Sequence, residues 1–346
     1  MRKWMLVLMF GILMVFAAGC GSKENSEPGN ASKDTGSSES KLEGSLHFYT
    51  SQPDADAAKL VEGFQTKYPD VKVETFRSGT EEVISKIKAE KMAGKIQADV
   101  LLVADAVTFE SLKEEDMLKA YESKEAAEIP AELVDPDHTY YGTKVMATGL
   151  VVNTQKVKEM PTSWNVLTSK EAKGKIIMPS PLYSGAAAYN LGVFTRQDNL
   201  GWDFYKNIAA NDVTVTKGNG DVLKGVAGGE KDYGMVVDYL VTRAKAEGSP
   251  VELIYPEEGV PVITEPIGIM KDAENLGAAK AFVDFVLSEE GQKLAAELGY
   301  TPIRKGIEAP EGLKTIDEMK VLSTDVQELY RARDGDKKEF ETVISE

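Results

Sequence analysis

Two short stretches, Arg77-Ser78-Gly79-Thr80 and Ser184-Gly185-Ala186, have the composition from which a chain builds a site for an oxyanion. In each, a hydroxyl and a glycine stand where a strand gives way to a helix. The first amides of a helix have no partner inside it, and a glycine beside them lets another atom come close. Before the first stretch, Val71 to Phe76 alternates as a half-buried strand does; after it, Val83, Ile84, Ile87 and Met92 recur at helical spacing. Ser78 followed by Glu81 has the form of a capping box, with the hydroxyl on one orphan amide and the carboxylate on another. Before the second stretch, Lys175 to Met178 reads as a strand, and Ala186 to Tyr189 opens an alanine-rich helix. Two such starts facing each other would clamp one negative group from both sides.

The elements that must position them are legible in order. Leu46 to Thr50 is a short strand, and Ala57, Leu60, Val61, Phe64 and Tyr68 form a helical stripe. The Val71 strand and the helix from Thr80 follow, and then Ala98 to Val103, an apolar run that suits a strand covered on both faces. Strand, helix, strand, helix, strand is a doubly wound α/β unit, whose ligands bind beyond the carboxyl ends of the strands. That rule singles out the loops at Thr50-Ser51-Gln52, at Arg77 to Thr80 and at Ala104-Asp105-Ala106.

A second set of elements starts near Tyr140 to Asn153, which reads as strands passing between lobes. Pro161 to Trp164 starts a helix, and Asp232 to Val237 is a strand that delivers Asp238 and Tyr239 to a helix start at its carboxyl end. Glu265-Pro266 leads into Ile267 to Met270, the return to the first lobe. Two amphipathic helices follow, and a last helix is expected from about Asp317 to Arg333. The expected organisation is a first lobe over 44–142 and 265–304, a second over 143–264, and a C-terminal helical segment over 305–346 assigned to neither lobe. Each lobe is expected to be a mainly parallel sheet flanked by helices.

Ahead of these lobes, residues 1–19 read as an export signal. Arg2 and Lys3 supply its positive end, Trp4 to Phe16 is almost continuously apolar, and Ala17-Ala-Gly closes it before Cys20. Cys20 is the single cysteine of the chain, so no disulfide can brace the body. Residues 20–43 hold Ser, Gly and charge with almost nothing apolar, the composition of a disordered tether. The formal charge of −16 becomes −18 once the two cations Arg2 and Lys3 leave with the signal. So acidic a surface repels phosphate backbones, which excludes nucleic acid as a partner and requires local dipoles and a few cations to hold any anion.

Catalytic constellations are thin. His47 lies inside a strand and His138 in a polar turn, neither with a carboxylate or cysteine at metal spacing. Ser184 lacks the glycine two residues before it that a nucleophile elbow carries, and no phosphate loop ends in Gly-Lys-Ser or Gly-Lys-Thr. No catalytic residue, metal site or cofactor is assigned.

The order of these features resembles the solute-binding lipoproteins of bacterial ABC importers, in the class of ferric-ion, thiamine, phosphonate and sugar-phosphate binders. The resemblance is carried by Tyr49-Thr-Ser-Gln, Phe64-Gln-Thr-Lys-Tyr-Pro-Asp, Arg77-Ser-Gly-Thr, Ala98-Asp-Val, Val151-Val-Asn153, Gly234 to Gly248, Glu265-Pro266 and Phe282 to Leu298. It implies a two-lobe fold of the type 2 periplasmic-binding-protein kind, an interlobe cleft that closes by hinge motion, and delivery of the solute to a permease in the cytoplasmic membrane. Ala17-Ala-Gly-Cys20 resembles a lipobox, which implies a diacylated Cys20 and a monomer anchored on the extracytoplasmic face of the membrane.

Ferric binders of the class use an adjacent tyrosine pair where this chain has Asp238-Tyr239, and iron wants several anionic oxygens. The phosphate-recognising members correspond better. They imply that Ser51, Ser78, Gly79, Thr80, Asp105, Ser184, Gly185 and Ala186 surround a phosphate or phosphonate, with Asp238, Tyr239 and Glu265 facing the rest of a small organic anion. Thiamine would need an aromatic sandwich from Tyr183, Tyr189 or Tyr239, and a phosphate-ester hydrolase would need Ser184 or Asp238 as its working group.

Overall fold

A computed structural model describes residues 42–345. The expected signal, tether and Cys20 lie outside the described residues. Among the described residues no helix is long and apolar enough to cross a membrane.

The first sheet grows from strand–helix units. β1 (Gly44–Thr50), α1 (Asp54–Lys67), β2 (Val71–Arg77), α2 (Thr80–Met92), β3 (Val100–Leu102) and α3 (Ala106–Glu114) follow in sequence, and β2, β1 and β3 lie side by side in parallel. β4 (Leu118–Lys119) and β5 (Tyr140–Tyr141) come next in the chain and reach this sheet by a different route, described below.

The chain then leaves through β6 (Lys144–Asn153), all ten residues of which are buried. It continues through a 3₁₀ turn at Trp164–Thr168, β7 (Ile176–Pro179), α4 (Gly185–Thr195), α5 (Gly201–Ala210), β8 (Thr214–Thr216), α6 (Asn219–Ala227), β9 (Tyr233–Val237), α7 (Asp238–Ala246), β10 (Val251–Ile254) and β11 (Val260–Ile263). β8, β7 and β9 are parallel, whereas β9, β10 and β11 all run antiparallel to β6. β12 (Ile267–Met270) returns to the first sheet, antiparallel to β3, and there it also pairs with β4 and β5. α8 (Leu276–Leu287), α9 (Glu289–Glu297), β13 (Thr301–Pro302), β14 (Val321–Leu322) and α10 (Val326–Ser345) complete the chain.

Both sheets are therefore mixed. They are parallel where strand–helix units repeat and antiparallel where the chain crosses between lobes, because a crossing strand meets the sheet it joins from the opposite direction. β13 pairs with the start of β6, so Thr301–Pro302 extends the second sheet at the crossing, while Ile303 beside it is buried in the first lobe's core with Phe64 and Phe282. The last helix is displaced: Val321–Leu322 is a strand parallel to β11, and the helix begins only at Val326 and runs to Ser345. The expected helix at Pro161 is a 3₁₀ turn from Trp164, capped by Ser163.

Each sheet buries both faces, and alternate residues of a strand serve alternate cores. In the first lobe Leu46 and Phe48 face Phe64, Phe282 and Phe285 of α1 and α8, while Tyr49 faces Val83, Ile87 and Phe109 of α2 and α3. In the second, Leu150 and Val152 face Trp164, Phe194 and Phe204, while Val151 faces Val222, Val226 and Val241 of α6 and α7. This double covering fixes the strand ends, and the helix starts that follow them, at the gap between lobes.

Candidate functional site

That gap is a cleft of about 360 Å³ walled by both lobes. α2 enters it from the first lobe. α4 and α6 enter from the second, and Tyr239, in the first turn of α7, also lines it. Helix starts present unpaired amides and the positive end of the helix dipole, so their convergence makes a field suited to an anion.

The two glycines place the helices closer than any other residue would allow. A Cβ on Gly79 would stand 2.6 Å from the ring of Tyr183 and 2.7 Å from its carbonyl oxygen. One on Gly185 would stand 2.6 Å from the carbonyl of Ala104 and 2.8 Å from the hydroxyl of Thr80. The Glu81 amide donates to the Tyr183 carbonyl at 3.3 Å, a backbone bond that joins the lobes. Ser184 caps α4 by accepting from the amide of Ala187 at 3.3 Å.

Of the residues singled out from sequence, Ser51, Gly79, Thr80, Ser184, Gly185, Ala186, Tyr239 and Glu265 line the cleft. The Ser51 hydroxyl accepts from the Ala104 amide at 3.3 Å, which ties the loops after β1 and β3 together.

Three others are placed differently. Ser78 does not cap α2: the cap is Gly79, and the Ser78 hydroxyl donates to Glu82 instead. Glu81, its expected partner, is held by Arg333 and Lys337 of α10, at 2.9 and 2.5 Å, and these two cations outweigh burial and keep its carboxyl below the usual range. Asp105 is fully buried, caps α3 through the Thr108 amide at 2.9 Å, and pairs with Arg333 at 3.0 Å. Asp238 is also buried and does not line the cleft. It accepts from its neighbour's amide, that of Tyr239, at 2.8 Å and from the Tyr255 hydroxyl at 3.1 Å. Burial pushes its carboxyl up to about 7, against the pull of those hydrogen bonds.

Glu265 occupies the left-handed region at φ +32°, uncommon for a residue with a side chain, and the Thr143 hydroxyl fixes its carbonyl at 2.7 Å. Its carboxylate forms a buried ion pair with Lys144. Lys144 in turn lies 4.7 Å from the ring of Tyr300. The rings of Tyr239 and Tyr300 are 4.2 Å apart, and burial raises both phenols far above their ordinary value, so both keep their protons.

Sequence reasoning passed over Lys217, Asn219 and Lys224, which also line the cleft. Asn219 donates to the Ser184 hydroxyl at 3.4 Å and accepts from the Val237 amide at 3.2 Å, joining the starts of α4 and α7. Its signal was present: Val213 to Thr216 followed by Gly218-Asn219-Gly220 is a strand, turn and helix of the kind found at Gly79 and Gly185. The Lys217 ammonium lies 5.1 Å from the Tyr183 ring centroid, and Arg77 adds a cation at the rim.

Two α/β lobes joined by crossing strands, with a cleft at the carboxyl ends of their parallel strands, define the class of type 2 periplasmic binding proteins. The sequence profile of the bacterial extracellular solute-binding proteins matches residues 96–325, and the chain belongs to that family. An uncharacterized protein of Haemophilus influenzae is 31% identical over 76% of this chain and 78% of its own length. "Iron uptake protein A1" of Synechocystis sp. is 25% identical over 75% of this chain and 76% of its own. The periplasmic binding protein AfuA of Actinobacillus pleuropneumoniae, solved with fructose-6-phosphate bound, superposes with a TM-score of 0.78 at 28% identity, covering 87% of this chain and 98% of that one. Family membership makes the protein the solute-binding component of an ABC importer, with a small solute as cargo and a permease as partner.

Proposed function

We propose that the cargo is a small phosphorylated or phosphonate organic solute, and that the protein carries it from the extracytoplasmic face of a membrane, tethered through Cys20. The observation that carries the reading is the opposition of the α2 and α4 starts across the cleft, reinforced by the start of α6 and by Lys217, Lys224 and Arg77. A charge-assisted hydrogen bond contributes about 1.5–3 kcal/mol net, so four or five reach micromolar affinity after the costs of ordering. Asp54 of the first lobe, Asp221 of the second and Glu265, which pairs with Lys144, also line the cleft and suit hydroxyl or ammonium groups on the remainder of the solute. The likeness to AfuA, solved with a sugar phosphate, supports this choice. The Ser184 hydroxyl capping α4 and the burial of Asp238 against Tyr255 support binding over turnover.

Ferric ion is the second reading, favoured by the Tyr239–Tyr300 pair and by the Synechocystis relative. Of that pair Tyr239 lines the cleft, whereas the Tyr300 hydroxyl is committed to Asp56 at 2.6 Å, which favours the phosphate reading.

Calorimetric titration with fructose-6-phosphate, an aminoalkylphosphonate and citrate-chelated ferric ion decides. Micromolar binding of either phosphorus compound supports the proposal. Saturable binding of iron alone, or release of inorganic phosphate over many turnovers, overturns it.

A further inference from the structure

α10 belongs to the core of the second lobe yet reaches the first. Leu329, Phe340 and Val343 are buried with Trp164, Phe194 and Phe204, and the Phe340 and Tyr205 rings meet edge to face at 5.9 Å. Arg196 of the second lobe fixes its polar face through Asp336 and Glu328, both at 2.9 Å. From this base Arg333 crosses to the first lobe. One guanidinium nitrogen donates to both oxygens of Asp105, at 3.2 and 3.0 Å, and another to Glu81 at 2.9 Å and to the Thr108 hydroxyl at 3.3 Å. Glu81 is the second residue of α2, so this contact is one turn or less from the Gly79 approach.

A second crossing is built the same way. Arg243 of α7 makes a two-pronged contact with Asp56 of α1, at 3.0 and 3.1 Å, and also donates to the carbonyl of Leu298 at the end of α9. The Tyr300 hydroxyl donates to the same Asp56 at 2.6 Å. All three carboxylates are largely withdrawn from water, and a planar fork matches a carboxylate in one orientation only.

We propose that Arg333 and Arg243 are positioning residues for solute capture: two clasps carried by the second lobe that seat on first-lobe carboxylates and hold the opposed helix starts in register. The geometry sets how far the lobes part and how the cleft walls align, whatever the solute. Parting the lobes costs the clasps, because each leaves a buried carboxylate without its cation.

The test needs no ligand, so its outcome is independent of which solute is bound. Small-angle scattering and amide hydrogen exchange are measured on the full-length chain, wild type and with Arg333→Lys, Arg243→Lys and both. Lysine keeps the charge and loses the fork. The expected result is a larger radius of gyration, greatest in the double variant. Exchange in the segment holding the Glu81 amide, which opening releases from the Tyr183 carbonyl, should be about tenfold faster or more, while β1 stays as protected as in the wild type. Should the double variant fail to fold, the single variants and Glu81→Gln decide by the same readouts. Unchanged scattering and exchange in all variants that fold, or a wild type whose scattering already fits parted lobes, overturns the proposal.

Discussion

The ring of Tyr183, in the second lobe, fills the space where Gly79 of the first lobe would carry a Cβ, with ring atoms 2.6 Å from it. Gly79→Val therefore props the lobes apart, since both the ring and the Tyr183 carbonyl stand in the way. Affinity for fructose-6-phosphate is expected to fall by two orders of magnitude or more, about 3 kcal/mol. The melting temperature without ligand should fall only slightly, because Gly79 meets Tyr183 at the seam between lobes and belongs to neither lobe's core. Calorimetry and thermal denaturation of the same preparation check both halves. Gly185→Val should behave alike, through Ala104 and Thr80.

Asp238 gives the chain a pH dependence of defined sign. Its folded-state carboxyl is raised to about 7, so the folded protein holds a proton that the unfolded chain releases near pH 4. Its contribution to stability is most favourable below that value and is lost as pH rises through 7. Asp238→Asn, which removes the titration, is expected to stabilise the protein at pH 8 by on the order of 2–4 kcal/mol. The gain should shrink towards zero below pH 4. Urea denaturation across that range measures it.

Tyr300→Phe removes the hydroxyl that donates to Asp56 and leaves the aromatic stack on Tyr239 in place. Arg243 still satisfies Asp56, so a moderate loss of about 1–2 kcal/mol is expected in chemical denaturation. Phe282→Ala is expected to cost more, about 3–5 kcal/mol, because that ring packs on both Phe48 and Phe64 in a fully buried position.

Addition of citrate-chelated ferric ion is expected to leave the visible spectrum free of a tyrosinate-to-metal band. Tyr239 lines the cleft without Tyr300, whose hydroxyl donates to Asp56, and Glu265 is paired with Lys144, so the cleft does not gather the several anionic oxygens that ferric ion wants. Spectrophotometry at neutral pH checks this directly.

The strand–helix alternation was legible because it is written locally. Val71 to Phe76 alternates, Val83, Ile84 and Ile87 repeat at helical spacing, and both features survive in the fold. What failed depended on distant partners. Ser78 and Glu81 match a capping box, yet two cations more than 250 positions away take Glu81, and charge pairing outcompetes a local cap. Leu322 falls at helical spacing with Val326 and Leu329, but Pro261 pairs with it across the sheet and makes it strand. The rim cations Lys217 and Lys224 carry no local mark that separates them from other surface lysines, and only the fold brings them to the cleft.

β12 lies between β3 and the short strands β4 and β5, so the first sheet is missing its middle until Ile267–Met270 arrive. A ribosome makes that segment only after every central strand of the other sheet. The first sheet thus stays open while the central strands of the second are made, and until β12 arrives Leu101 and Leu102 offer an unpaired edge to any passing strand.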